Sequence, residues 1–138
     1  MVAEEQVRRA VDRYMEAWGE GNRQQLLDLF AKDGEMTDPV GTKPLVGRKA
    51  IGEFWDFAHQ DQEKTITHRP EKIVVCANEA LLEFVIEVRL PNNSGLDLRA
   101  FNHFVVNEEG RIQSLRAFWD ESCMTQPEGM DFFVPDMG

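Results

Sequence analysis

The chain has 138 residues, 42% of them apolar, enough for one folded domain with a sizeable core. Its 15 basic and 25 acidic residues leave a net charge of −10, a field that repels nucleic acid and anionic membrane surfaces, so neither is expected as a partner. The cysteines Cys76 and Cys123 form no C-x-x-C pair, no apolar run approaches the ~18 residues of a membrane span, and the acidic opening Met-Val-Ala-Glu-Glu-Gln lacks the basic start of a signal peptide; a reduced, cytoplasmic setting is expected.

In chain order, Val2 to Gly19 reads as an amphipathic helix, with Val7, Ala10, Val11, Tyr14 and Trp18 at helical spacing. The "GEGN" break ends it, and Asn22 can cap a second helix whose apolar side holds Leu26, Leu27, Leu29 and Phe30. Gly34 is expected to stop that helix, and an extended piece leads to Asp38. Gly47 to about Ala58 reads as a third helix carrying Ala50, Ile51, Phe54, Trp55 and Phe57. After residue 63 the period changes to that of strands. Lys64 to Cys76 is one, with Pro70 marking an edge, bend or bulge. Ala77-Asn78 is a turn, and the strand that follows alternates Ala80, Leu82, Phe84, Ile86, Val88 and Leu90 with Leu81, Glu83, Val85, Glu87 and Arg89. "PNNSG" is a loop, Leu96 to Asn107 a strand, "NEEG" a hairpin turn and Arg111 to Glu121 the last long strand. Three helices and then an antiparallel meander predict an α+β fold: a single domain over 1–138, ending in an irregular tail over 126–138. A curved sheet wrapped around helices leaves a cone whose mouth can hold a small molecule.

Three polar residues stand out against apolar surroundings. Asp38 precedes Pro39, which pushes it out of the helical region, and Met36 and Val40 would partly desolvate it and raise its pKa. Those are traits of a general base; an Asx-Pro turn on the surface explains the same residues. Tyr14, the single tyrosine, lies on the apolar stripe of the first helix, where its hydroxyl needs a partner in the core or reaches a ligand. Asn102 is the lone polar residue in the register Leu96, Leu98, Ala100, Asn102, Phe104 and Val106, so its amide has a structural partner or offers N–H to a bound molecule. Trp119 and Phe84 could wall a pocket. His59, His68 and His103 show no paired metal spacing, and neither a phosphate loop nor a G-x-S-x-G elbow is present, so no metal or cofactor is expected. Cys76, in the apolar "KIVVCANEA", reads as inert filler.

Tyr14, "DPVG" around Asp38, a polar residue before "HF" and "RAFW" together resemble the bacterial ketosteroid isomerases (steroid Δ-isomerases) of the NTF2-like/SnoaL-like superfamily. The resemblance runs from the first helix to about Met124. It implies a cone fold, a steroid substrate and a homodimer formed through the outer sheet face, where Phe101, Val105 and Phe118 alternate with charges. It also implies Tyr14 as an oxyanion donor, Asp38 as the general base and Asn102 where the family usually has a protonated Asp. The implied pocket is lined by Val40, Phe54, Trp55, Phe84, Leu115 and Trp119. Phe30 and Trp55 stand where some members carry tyrosines behind the catalytic phenol. A non-catalytic binder of steroids or other hydrophobic ligands is the alternative. It is kept open by the amide at 102.

Overall fold

The computed structural model describes residues 2–60 and 63–133. The chain runs α1 (Glu4–Glu20), α2 (Arg23–Leu29), β1 (Phe30–Thr37), β2 (Leu45–Val46), α3 (Arg48–Ala58), β3 (Thr65–Cys76), β4 (Glu79–Leu90), β5 (Ser94–Val106) and β6 (Ile112–Phe118). A 3₁₀ turn and two short strands follow, β7 (Met124–Thr125) and β8 (Asp131–Phe132).

Each helix is bounded by its local sequence. Gln6 accepts the Ala3 N–H at 3.0 Å at the start of α1. Gly21, at φ 67°, ends α1 in the left-handed region that lets Asn22 N–H reach the Ala17 carbonyl at 2.9 Å. The Asn22 side chain then accepts the Gln25 N–H at 3.0 Å and starts α2. The second helix stops at Leu29, five residues before the glycine expected to end it. Phe30 is already strand because β1 is claimed by β6: Phe30 pairs with Ile112, and Glu35, Met36 and Thr37 pair with Ser114, Leu115 and Arg116. Gly34 sits in the bulge between those two stretches, where a Cβ would lie 2.9 Å from the Ile112 carbonyl oxygen.

The sheet order is β2-β1-β6-β5-β4-β3, with β1 and β6 parallel and the other neighbours on this path antiparallel. The fold is the expected α+β cone, but its sheet is mixed rather than a pure meander. A strand before α3 crosses over to join the last long one. Pro70 lies on the edge strand at a register shift, as a residue without an N–H must. β7, just before the expected irregular tail, and β8, within it, both pair with the first half of β5, which β6 leaves free. Residues 134–138 of that tail lie outside the described residues.

The concave face of the sheet and the apolar stripe of α1 form the core, with Val7, Val11, Phe30, Met36, Ile51, Leu82, Phe104 and Ile112 fully buried. Arg48 ties α3 to β1 by donating twice to the Phe30 carbonyl, at 2.7 and 3.1 Å. The alternation read from the sequence matches the burial of β5 and of the first half of β4; it breaks at Val85, which is buried although its register was expected to face out. Cys76 is exposed on the outer face rather than filling the core, and both cysteines are free.

Candidate active site

The inner face does not close over the end of the cone. Small residues, Ala100 on β5 and Ala117 on β6, leave space between the sheet and α1 and α3. The resulting cavity, with the open space at its mouth included, contains about 560 Å³. It brings together Tyr14, Asp38 and Asn102 from α1, the end of β1 and β5, with Phe54, Phe84 and Trp119 around them.

Asp38 is half-buried and follows directly on β1. The Asp38–Pro39 peptide is cis, and the turn anticipated at this point is formed by the next residues, where Thr42 donates to the Pro39 carbonyl from N–H and hydroxyl. Asp38 itself faces inward and accepts the Trp119 indole N–H at 2.7 Å. Burial pushes its carboxyl above the ordinary carboxylate value, and the indole bond, which favours the charged form, partly offsets that push. This bond exists because β1 and β6 are parallel: both strands leave the sheet at the same end, delivering Asp38 and Trp119 side by side.

Tyr14 is 5% exposed and packs edge-on against Phe104, 5.2 Å between centroids. Burial holds its phenol well above the ordinary value, and the Asp38 charge adds to this; the nearby Trp18 indole and Asn102 amide oppose it. The hydroxyl therefore stays protonated and can donate. Asn102 is 2% exposed, and its Oδ1 has no hydrogen-bond partner. No structural neighbour absorbs that amide oxygen, so it is an orphan on the cavity wall. The cavity thus holds one carboxylate of raised pKa, one protonated phenol and one buried amide with an unpaired oxygen, on otherwise largely apolar walls. Such a site can move a proton next to an oxygen that gains negative charge.

Three residues expected at the pocket lie elsewhere. Val40 is 37% exposed, because its N–H bonds the Ala117 carbonyl at 2.8 Å and its side chain falls into an outer groove with Phe101 and Phe118. Trp55 lies behind the wall, its ring 4.4 Å from Trp18. On α3 it is Phe54 and Ala58, four residues apart, that face the cavity. Leu115 shares a face with Ala117 but sits two residues deeper, paired with Phe104 and 1% exposed.

The sequence reading passed over two wall residues of chemical interest. Trp18 lines the cavity with a buried indole Nε1 that has no hydrogen-bond partner. His68 on β3 lies flat against Trp18 and Phe84 with its Nδ1 buried and unpartnered, and burial pushes its imidazole down to about 4, with His59 adding a smaller push. A signal for His68 was present: it shares a strand face with Ile66, a polar residue in an apolar register, like Asn102. Among the described residues no group of three or more His, Cys, Asp or Glu is placed to hold a metal ion.

The chain is similar to a steroid Delta-isomerase of Nocardioides simplex, 28% identical over 122 residues, which cover 83% of this chain and 89% of that protein. Among solved structures, the epoxide hydrolase/cyclase-like enzyme SalBIII, from pyran ring formation in polyether salinomycin, superposes with a TM-score of 0.81 at 22% identity, covering 91% of this chain and 99% of that one. RV0760c from Mycobacterium tuberculosis, in complex with estradiol-17beta-hemisuccinate, superposes with a TM-score of 0.75 at 21% identity, covering 87% and 98%. The structural matches share the fold, which by itself hosts many functions. The SnoaL-like domain model matches residues 11–115, most of the chain, and the protein belongs to the SnoaL-like domain family.

Proposed function

We propose that the protein is a steroid Δ-isomerase, converting 3-oxo-Δ5-steroids to the conjugated 3-oxo-Δ4 products. The observation that carries this reading is the convergence of Tyr14, Asp38 and Asn102 on one apolar cavity. Tyr14 and Asn102 hydrogen-bond the steroid C3 oxygen. Asp38 takes a proton from C4, and a dienolate forms with its negative charge on that oxygen. The two donors face the atom where charge develops, so they help the transition state more than the bound substrate. Asp38 then returns the proton to C6. One carboxylate serves both carbons because the cavity walls are largely apolar and the distance between them is short. An amide donor keeps its N–H at every pH, whereas a carboxylic acid in its place would have to be held neutral by its surroundings.

The curated relative's name and the bound steroid of one structural neighbour support the substrate class. A cyclase or epoxide hydrolase of the same fold needs a positioned water held by several polar groups. Among the described residues Asp38 is the one carboxylate on the cavity wall.

The test follows the conjugated enone by ultraviolet absorbance after mixing the protein with 5-androstene-3,17-dione. The wild type turns over, and Asp38→Asn falls by about a thousandfold, within the ~10²–10⁴ worth of a positioned base, with steroid affinity kept within a few fold. Steroid binding with no turnover in either protein would replace the enzyme by the non-catalytic binder.

A further inference from the structure

His68 is a polar group of the cavity wall that the proposed reaction leaves unused. Its ring stacks against two aromatic planes, 5.3 Å from Trp18 at 26° and 5.9 Å from Phe84 at 15°. The residue as a whole is half-buried, but its Nδ1 is buried with no partner. A buried nitrogen left without a hydrogen bond is destabilising, and such groups in a native protein call for a reason. With the imidazole uncharged at neutral pH, the ring carries one N–H donor and one lone pair.

Its position in the sheet supplies the reason. His68 pairs with Ile86, and Ile86 pairs with Leu98 on β5. Asn102 lies four residues further along β5, about 13 Å at the rise of an extended strand. Trp18 spans the interval, its ring 6.4 Å from Tyr14 on one side and 5.3 Å from His68 on the other. Between the two ends the wall is apolar, with Ile66, Ile86 and Ala100. A rigid ligand whose carbonyl meets Tyr14 and Asn102 therefore runs past Trp18 and ends beside His68.

We propose that His68 is the second polar anchor of this cavity, hydrogen-bonding an oxygen substituent at the end of the ligand remote from the carbonyl held by Tyr14 and Asn102. The assignment rests on the steroid pose proposed above and narrows it. The favoured substrates are 3-oxosteroids that also carry a carbonyl or hydroxyl on the distal ring. Because an imidazole both donates and accepts, it serves either group.

The experiment compares two product-like ligands, 4-androstene-3,17-dione and 4-androsten-3-one, which lacks the distal oxygen. Their affinities are measured by isothermal titration calorimetry at neutral pH. The wild type is expected to bind the dione about tenfold more tightly, the worth of roughly one net hydrogen bond. His68→Phe keeps a flat ring in the stack and should bring the two within about twofold by weakening the dione alone. His68→Gln restores a donor and an acceptor and should recover part of the preference; it also serves if the phenylalanine variant does not fold by circular dichroism. Equal affinities in the wild type, or a tenfold preference that survives both substitutions, would overturn the assignment. Turnover of the Δ5 substrate, measured alongside, separates the two claims: turnover without a preference removes the His68 anchor alone, and neither binding nor turnover removes both.

Discussion

Asp38 is poised between two opposing influences, burial that favours its neutral form and the Trp119 N–H that favours its charged form. A base of this kind works when ionised, so kcat/KM rises with pH through its pKa and then levels. Removing the indole donor takes away support for the charged form only, which raises the pKa. Trp119→Phe should therefore move the rising limb to higher pH by about one unit, the lower end of the value of a hydrogen bond to a charged group. A limb that stays put, or moves to lower pH, would show that the indole does not control the carboxyl. Tyr14, Asp38 and Asn102 stood out in the sequence as polar residues among apolar ones, but local pattern left turn and core explanations open, and it was the family resemblance that joined them; the structure puts all three on one cavity. The Trp119 contact was not legible in the sequence, since its partner is 81 positions away and meets it only through the parallel pairing of β1 and β6. Val40, Trp55 and Leu115 failed for a related reason. Periodicity tells which face a side chain takes, but not how deep along that face it lies.

At the scale of elements, the sequence marked the helices, the strand alternation from β3 to β6 and the irregularity at Pro70. It misjudged the junction of α2 and β1. Local pattern extends the helix through Leu29 and Phe30 towards Gly34. The pairing that overrides it lies about 80 residues downstream. The glycine is there for room: its position faces the Ile112 carbonyl at 2.9 Å and the Ala31 carbonyl at 3.1 Å from where a Cβ would be. Backbone atoms cannot step aside as a flexible side chain can. Gly34→Ala should cost about 1–3 kcal/mol, typical of overpacking, seen as a lower midpoint in urea denaturation. A loss below about 0.5 kcal/mol would mean that the bulge relaxes at little expense. Because β1 ends at Thr37, next to Asp38, the same substitution tests how firmly that carboxylate is seated.

For the whole molecule, the net charge of −10 and the outer sheet face give the relevant constraints. Ion pairs such as Arg99–Glu83 and Arg89–Asp97 occupy part of that face. Phe101, Phe118, Leu81 and Val74 remain 41–53% exposed there. We propose that a second copy covers this surface. Sedimentation at micromolar concentration should then give a dimer, and Phe101→Glu combined with Phe118→Glu should shift it to monomer. A wild-type monomer under those conditions would refute the assembly. No helix among the described residues is long and apolar enough to cross a membrane.

The aromatic wall has one more consequence, and it is optical. The chain has three tryptophans, of which Trp18 and Trp119 line the cavity and Trp55 packs at a tilt against Trp18. Intrinsic emission thus comes entirely from the cavity and the layer next to it, and a ligand entering needs no attached dye to be seen. Trp119 shares a hydrogen with the carboxylate of Asp38, so its fluorescence also senses the proton on that group. Trp119 emission should therefore report the ionisation of Asp38, the proposed base, with no substrate present.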